Sequence, residues 1–275
     1  MSREAPPTFY KYYPVEEWLP KFFAGESLRF SSRTTFNDPF DSRPAFQILA
    51  KTEAGKKYIH SNLRRTNLSP AERVRAAARI RAQSQKARPF GHGDIQRVLD
   101  ETGILSLTTT WENILMWSHY GQHHQGICVG FHSEIDVFAT ALPVEYRKEL
   151  PVIYRPDDEG DDIIGKTFLT KAKDWEYEDE WRIIKRKLST REQQAEREAL
   201  GYLSSEEIRV LVDHRGRGDY QFHTSAIESV TLGMRIPKPD EEKVCAWIRE
   251  SGLKIPVYKV NEPSTQYAIT RMKLR

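Results

Sequence analysis

Short strand-like segments outnumber the helical segments that could connect parallel strands, and this imbalance limits the possible folds more than any other feature. Runs such as TFYKY (8–12), ILSLTTT (104–110) and GICVGF (126–131) are typical of strands and occur at irregular intervals. A doubly wound parallel sheet needs regular strand–helix alternation. The dinucleotide-binding GxGxxG pattern and the GxxxxGK(S/T) phosphate loop are both missing. The order therefore predicts an α+β fold with a mixed, mainly antiparallel sheet and helical insertions.

The size and composition of the chain predict one α+β domain over residues 1–275. The chain is 39% hydrophobic and 11% aromatic, which is enough for a sizeable core. Its net charge of +3 is small for a protein that binds nucleic acid through charge alone. Cys128 and Cys245 lie in apolar runs and are predicted to be buried free thiols. No apolar signal segment or run of ~20 apolar residues is visible, which predicts a cytoplasmic protein without membrane contact.

A basic helical insertion is predicted at about 52–103. In it, Ser69 is a predicted helix N-cap, Pro70 suits the first helical position, and Glu72 lies at capping-box spacing. The arginines of segment 64–88 are Arg64, Arg65, Arg73, Arg75, Arg79, Arg81 and Arg88. Two interpretations stay open: a solvated helix, or an arm that contacts an anionic partner such as nucleic acid.

The stretch KDWEYEDEWRII (173–184) is unusually rich in acidic and aromatic residues, and a strand is predicted over YEDEWRIIKRK (177–187). Read with period two, it places Glu176, Glu178 and Glu180 on one face. One interpretation is a solvated face whose carboxylates pair with nearby basic side chains, namely Lys171, Lys173 and Arg182. The other is a carboxylate pair that holds a ribose hydroxyl and stabilises a developing oxocarbenium ion.

A second polar and aromatic cluster lies in the stretch MWSHYGQHHQG, on a helix predicted to begin near Trp111. Thr109 and Glu112 have capping-box spacing there. His119 and His123 are four residues apart, as two zinc ligands on a helix would be, but the glutamate of the HExxH pattern is absent. A predicted pocket lining or sheet cap consists of Trp117, His119 and Tyr120.

The loop FNDPFD contains two acidic residues, Asp38 and Asp41, in a context that favours turns. Their carboxylates either fix the turn or face a ligand. A metal-dependent nuclease built on Asp38, Asp41 and Glu178 is one variant of a nucleic-acid-acting protein.

Four stretches together resemble a bacterial family called domain of unknown function 2971. They are FYKYYPVEEWL, LRFSSRTTFNDPFD, LSLTTTWENILMWSHYGQHHQGICVGF and KDWEYEDEWRII, and the resemblance covers roughly residues 9–184. The family name carries no established activity, so this resemblance implies a relationship but no reaction.

A more distant resemblance is to ADP-ribosyltransferases of the Arg-Ser-Glu type. That pattern has a basic residue on the first strand, a Ser-x-Ser/Thr strand and a later Glu-x-Glu strand. Lys11 would meet the NAD phosphates or ribose, and Ser106 with Thr108 would position the nicotinamide ribose. Glu180 would hold the 2′-hydroxyl, and Glu178 would orient the acceptor. This chain departs from the pattern in three ways. The basic residue on its first strand is a lysine, which lacks the bidentate fork of arginine, and its middle motif is Ser-Leu-Thr rather than Ser-Thr-Ser. The gap from Thr108 to Glu178 is also long.

The same resemblance implies that Trp117, His119 and Tyr120 contribute to NAD binding, with Trp117 or Tyr120 stacked on nicotinamide. The expected function is an NAD-consuming ADP-ribosyltransferase-like or NAD glycohydrolase-like enzyme, such as a toxin or a phage-defence effector. One alternative is a nucleic-acid-binding protein or nuclease. The other is a non-catalytic module that senses a ligand in an aromatic cleft.

Overall fold

The structure, a computed structural model, describes residues 3–84, 88–89, 94–199, 215–262 and 267–274. The strands are β1 (Thr8–Tyr13), β2 (Leu28–Phe30), β3 (Ala45–Ile48), β4 (Arg88–Pro89), β5 (Gly103–Thr108), β6 (Ile127–His132), β7 (Leu142–Pro143), β8 (Glu145–Arg147), β9 (Val152–Arg155), β10 (Thr170–Ala172), β11 (Glu180–Lys185), β12 (Gly218–Tyr220), β13 (Ile227–Leu232), β14 (Val257–Asn261) and β15 (Thr270–Lys273). The α-helices are α1 (Leu19–Phe23), α2 (Glu53–Arg64), α3 (Pro70–Gln83), α4 (Asp94–Glu101), α5 (Ile114–His119), α6 (Asp161–Phe168), α7 (Thr190–Ala199) and α8 (Lys238–Glu250). The predicted α+β class, with a mainly antiparallel sheet, is confirmed.

Two compact units divide the described chain. Unit 1 contains 1–35, 100–144 and 176–275, and unit 2 contains 36–99 and 145–175. The predicted single domain over 1–275, with its insertion at about 52–103, stays a prediction. Among the described residues, no helix combines the length and the apolar character that a membrane crossing requires.

Unit 1 is built around an eight-stranded sheet in the order β15-β14-β13-β6-β1-β5-β11-β7. All its pairings are antiparallel except that of β13 with β14. One face carries the main core, where Phe9, Leu107 and Trp181 pack together with side chains of α1 and α8. The opposite face carries a smaller cluster around Tyr12 and Trp117. On β5 and β11, polar side chains that project from this second face therefore lie beside the aromatic cluster rather than in the main core.

Unit 2 combines a three-stranded sheet, β4-β3-β9, with the parallel pair β10-β8 and the antiparallel hairpin of α2 and α3. The hairpin packs around Ala50, Ile59, Leu63 and Ala77. The capping box at Ser69 is confirmed, because the Ser69 hydroxyl and the Glu72 carboxylate exchange hydrogen bonds with each other's main-chain N–H.

Several predicted boundaries are wrong. The helix expected near Trp111 begins at Ile114, because the Asn113 side chain, rather than Thr109, accepts hydrogen bonds from the first free N–H groups. The apolar spacing of PVEEWLPKFFAG (14–25) predicts a helix from Pro14, but the helix begins only at Leu19. The stretch EIRVLV (207–212), whose apolar residues predict a strand, lies outside the described residues. Cys128 is a buried free thiol as predicted, whereas Cys245 is half-buried.

Candidate functional site

The acidic stretch does not form one strand with three carboxylates on a single face, so that prediction is wrong. Residues Lys173–Glu178 form a 3-10 helix, and β11 begins only at Glu180. Asp179 joins the two elements with a φ of 45°, a left-handed conformation that few non-glycine residues adopt. The change of direction leaves Glu176 exposed and buries both Glu178 and Glu180 to 3% of their surface. The interpretation of a solvated acidic face therefore fails for these two carboxylates.

Side-chain hydrogen bonds fix the junction at Asp179 to the neighbouring strand β5 and the segment after it. The Thr108 hydroxyl donates to the main-chain oxygen of Glu178 at 2.6 Å. The Thr109 hydroxyl and the Arg3 guanidinium both donate to the Asp179 carboxylate. The Asn113 amide donates to the Tyr177 oxygen at 2.7 Å, so the cap of α5 also anchors this turn. The course of the chain at Glu178 and Asp179 is thus set by residues 64–70 positions earlier in the sequence and by Arg3.

Glu180 is paired with Arg182, the next residue on the same face of β11. The guanidinium donates to both carboxylate oxygens, from Nε at 2.7 Å and from Nη2 at 2.9 Å. Both side chains are almost completely buried, and across the sheet Glu180 lies opposite Thr108 while Arg182 lies opposite Ser106. A bidentate pair in a low-dielectric setting fixes the carboxylate orientation, and loss of either member would remove this ion pair from the other buried charge.

Lys11 lies at the junction of β1 and β5. Its ammonium donates to the Ser106 main-chain oxygen at 2.8 Å and lies over the Tyr13 ring. Burial lowers the pKa of Lys11 to about 8, and the carboxylates of Glu180 and Glu178 oppose that shift by favouring the charged amine. The charges of both glutamates therefore act on Lys11. Lys11 contacts the main-chain oxygen of Ser106. The resemblance to ADP-ribosyltransferases instead implies a role for the Ser106 side chain in positioning the ribose.

The Tyr120 hydroxyl donates to Oε1 of Glu178 at 2.7 Å. Next to it, the exposed His119 places Nδ1 3.0 Å from the Tyr177 hydroxyl. Tyr120 and Tyr177 are half-buried, so these three rings form the accessible aromatic side of the glutamate cluster. They could contact a planar group without any change in the fold.

Trp117 is fully buried beneath these rings. Its Nε1 donates to the Trp111 main-chain oxygen at 2.8 Å, and its ring packs edge-on against Tyr12. A ligand could reach the Trp117 ring only if this cluster opened. The described position of Trp117 therefore suits a support for Tyr120 and α5 rather than a stacking surface for nicotinamide.

The turn after α5 contains three consecutive residues in the left-handed region. Gln122, His123 and His124 have φ of 50°, 55° and 67°. Each such non-glycine residue costs roughly 1–2 kcal/mol, so the surrounding contacts must hold the turn. The His124 N–H donates to the Trp117 oxygen at 3.1 Å, and the His124 oxygen accepts from the Arg235 N–H at 2.9 Å. Burial, assisted by Arg235 and His123, lowers the pKa of His124 and favours a neutral ring.

His119 and His123, which would share a face if the helix continued, are separated by this turn. α5 ends at His119, so the two histidines do not share a helical face. In the part of the chain that the structure describes, no group of three or more His, Cys, Asp or Glu is arranged to hold a metal ion. In the FNDPFD loop, Asp38 accepts the Phe40 N–H at 2.9 Å and Asp41 accepts the Ser42 hydroxyl at 2.9 Å. Those contacts support the interpretation of the loop as a fixed turn.

Sequence reasoning missed three residues that organise the cluster: Asn113, Tyr177 and Asp179. It named Arg182 only as a partner for a solvent-exposed carboxylate. The spacing of Glu180 and Arg182, two residues apart on an otherwise apolar strand, was the available signal for a buried pair. No local pattern marked Asn113 or Asp179, because their roles depend on contacts between distant segments.

The fold and the cluster define an α+β protein with a buried acid–base group beside an aromatic wall. The model of a family described as "Protein of unknown function (DUF2971)" matches residues 116–183, which is 68 of the 275 residues. The match supports the resemblance to that family over a stretch that contains Tyr120, Glu178 and Glu180. No curated protein and no solved structure matches the chain, and the resemblance to ADP-ribosyltransferases stays a prediction.

Proposed function

We propose that the protein cleaves the N-glycosidic bond of NAD and transfers the ADP-ribosyl group to water or to another acceptor. The observation that carries this proposal is the convergence of two buried carboxylates, Glu178 and Glu180, with Lys11 at the junction of β1, β5 and β11. An NAD-consuming enzyme of this kind would act in the cytoplasm as a toxin or a phage-defence effector, because loss of NAD stops metabolism.

In the proposed reaction, the bond between C1′ of the ribose and the nicotinamide nitrogen breaks, and nicotinamide leaves with the bonding electron pair. The positive charge that develops on the ribose is stabilised by the negative carboxylate of Glu180. Arg182 holds both oxygens of that carboxylate in place, so little reorganisation is needed as the charge develops. Water or an acceptor hydroxyl then attacks C1′ and loses a proton.

The remaining residues have distinct proposed roles. Glu178, fixed by the Tyr120 hydroxyl, orients the attacking group and receives its proton. The positive Lys11 ammonium attracts the negative diphosphate of NAD, although lysine provides a point charge without the bidentate fork of arginine. His119, Tyr120 and Tyr177 supply the aromatic surface for nicotinamide in place of the buried Trp117.

The direct test incubates the purified full-length chain with NAD labelled in the nicotinamide ring, alone and with a cell lysate as a source of acceptors. We expect released nicotinamide, and a loss of at least ~100-fold in the Glu180→Gln and Glu178→Gln variants. Glu176→Gln is the matched control, because it makes the same change at an exposed glutamate of the same segment. Absence of both nicotinamide release and ADP-ribose transfer by the folded wild-type chain would overturn the proposal.

Nucleic-acid binding through the α2–α3 hairpin is a second candidate function. Between Glu53 and Gln83 the sequence has eight Lys and Arg against two Glu, a charge of +6, whereas the whole chain carries +3, so the remainder carries −3. Apolar side chains of the hairpin pack in its own core, and the exposed basic residues are Lys57, Arg64, Arg65, Arg75, Arg79 and Arg81. Residues 85–87 and the Arg88 side chain, which belong to the predicted 64–88 segment, lie outside the described residues.

Binding to single- and double-stranded nucleic acid at several salt concentrations tests this second function. Contacts with phosphates predict an affinity that falls steeply with salt, and a smaller slope in the Arg75→Gln/Arg79→Gln variant. Lys21→Gln/Lys254→Gln, which removes two exposed charges from unit 1, is the control. An affinity that is independent of salt, or equal for both double variants, would exclude the hairpin as the binding surface.

A further inference from the structure

A cavity in unit 2 has features that neither the proposed NAD cleavage nor the proposed nucleic-acid binding uses. Its volume is about 190 Å³. It is enclosed by the end of the FNDPFD loop, the segment from β8 to Pro151, the last turn of α6, and β10. Its size is below the ~300–1,000 Å³ of clefts that take drug-sized molecules, so it suits a small ligand.

The cavity lining is strongly cationic. Its basic residues are Arg43, Arg147, Lys148, Lys166 and Lys171, and its acidic residue is Glu149. Three of the five cations have carboxylate partners from outside the lining: Arg147 with Glu145 at 2.7 Å, Lys166 with Asp158 at 2.5 Å, and Lys171 with Asp41 at 3.7 Å. Counting those partners still leaves an excess of one positive charge, so the cavity favours an anion.

Arg43 and Lys148 are the two cations without such a partner. Neither side chain forms an ion pair or hydrogen bond with any residue that the structure describes, and both are exposed at the cavity. Their charges are therefore available to a ligand without loss of an existing contact.

A buried hydroxyl in the same lining points to a hydrogen-bonding ligand. Thr167 is 1% exposed, and its hydroxyl oxygen has no hydrogen-bond partner among the described residues. A buried polar group without a partner costs roughly 1–3 kcal/mol, which a bound acceptor would recover. Nearby, the buried Lys171 ammonium lies over the Trp175 ring, so its position is fixed.

Apolar side chains at the same cavity limit the ligand further. Phe40 is 70% exposed and Leu150 is 47% exposed, both unusual for large hydrophobic residues. They could cover a small organic group attached to an anion. A ligand that combines both features is a phosphate ester, since the phosphate carries nearly two negative charges and several acceptor oxygens.

We propose that this cavity is a binding site for a small phosphate monoester. The phosphate is held by Arg43, Lys148 and the Thr167 hydroxyl, while the organic part packs on Phe40 and Leu150. The site is independent of the proposed NAD chemistry, and its ligand could regulate or recruit unit 2 without any reaction.

The test measures binding to the full-length chain by titration calorimetry and thermal shift, with inorganic phosphate and phenyl phosphate as probes at constant ionic strength. We expect saturable binding of both, tighter for phenyl phosphate. The Arg43→Gln/Lys148→Gln variant should lose more than roughly tenfold in affinity. The matched control, Lys51→Gln/Arg97→Gln, makes the same charge change at exposed positions of unit 2 outside both the cavity lining and the α2–α3 hairpin, and should bind normally.

Thr167→Val separates ligand binding from a structural role. It replaces an unpaired buried hydroxyl by a methyl group of similar size, so the melting temperature without ligand should stay equal or rise. Phosphate affinity should nevertheless fall roughly tenfold. The proposal is overturned by absence of saturable phosphate binding, by equal binding of acetate, or by unchanged phosphate affinity in both the double variant and Thr167→Val.

Discussion

Two charge-rich stretches of the sequence differ in solvent exposure: the key charges of one are buried and those of the other are exposed. In 173–184, the carboxylates of Glu178 and Glu180 are buried and bonded to Tyr120 and Arg182. In α3, the arginines at 75, 79 and 81 are exposed on a hairpin whose apolar residues pack inward. The sequence alone supported a solvated interpretation for each stretch.

The difference follows from the secondary structure that carries the charges. Glu180 and Arg182 lie on one face of β11, where both side chains are almost completely buried, so the charges must pair. A two-helix hairpin buries only one stripe of each helix, so most of its charged positions meet water. Charge substitutions should therefore destabilise the protein strongly at Glu180 and weakly at the exposed arginines of α3, which the following experiments test.

The largest effect is expected for Glu180→Leu. The substitution leaves the buried Arg182 guanidinium without its carboxylate, and the free energy of unfolding should fall by about 3–5 kcal/mol in urea denaturation. The double variant Glu180→Leu/Arg182→Leu should recover most of that loss, because no charge remains unpaired. A loss below about 1 kcal/mol in the single variant would mean that water reaches the pair.

A smaller effect is expected for Tyr120→Phe, which removes the hydroxyl that donates to Glu178. The buried carboxylate loses a donor, and the free energy of unfolding should fall by about 1–3 kcal/mol. Tyr267→Phe serves as the control, because Tyr267 is fully exposed and its variant should match the wild type. Equal stability of both variants would contradict a buried Tyr120–Glu178 contact.

A pH-dependent effect of similar or smaller size is expected for Lys11. Its pKa is about 8 in the folded chain against 10.5 for the ordinary side chain. Between these values the unfolded chain binds a proton that the folded chain has lost, so raising the pH favours the folded state. From pH 8 to 10.5, wild-type stability should rise by about 1–3 kcal/mol relative to Lys11→Met. Parallel stability curves for the two proteins would show that Lys11 titrates normally; Lys21→Met is the exposed control.

The smallest effect on stability is expected for Arg75→Gln/Arg79→Gln in α3. Both side chains are exposed, and the free energy of unfolding should change by no more than about 0.5 kcal/mol. Guanidinium chloride or urea denaturation checks this value. A loss above about 2 kcal/mol would show that the hairpin depends on its arginines. The charges of α3 would then contribute to stability as the buried charges of 173–184 do.

Much of the fold was predictable because its signals are local. Apolar runs identified β1, β5 and β6, and the Ser69–Glu72 capping box located the start of α3. The start of α5 was not predicted, because Asn113 competes with Thr109 for the cap and is itself held by the Tyr177 main chain. The break at Asp179 was also missed, since its left-handed φ is maintained by Thr109 and Arg3.

The sequence suggested residues for the candidate site but did not indicate how their side chains are arranged. Thr108 and Tyr120 form hydrogen bonds with Glu178, and Lys11 contacts the main-chain oxygen of Ser106, whereas Trp117 is fully buried. Which face each side chain takes depends on strand register and on turns, and a single residue of shift reverses it.

The sequence by itself determined the α+β class, the basic character of the α2–α3 segment and the residues available for acid–base chemistry. These follow from composition and from spacing within one element. Only the tertiary structure decided that Glu178 and Glu180 are buried, that Arg182 pairs with Glu180, and that Lys11 is buried enough for its pKa to fall. The physical reason is that burial and charge pairing depend on distances between strands that are up to 170 residues apart in sequence, such as Lys11 and Glu180.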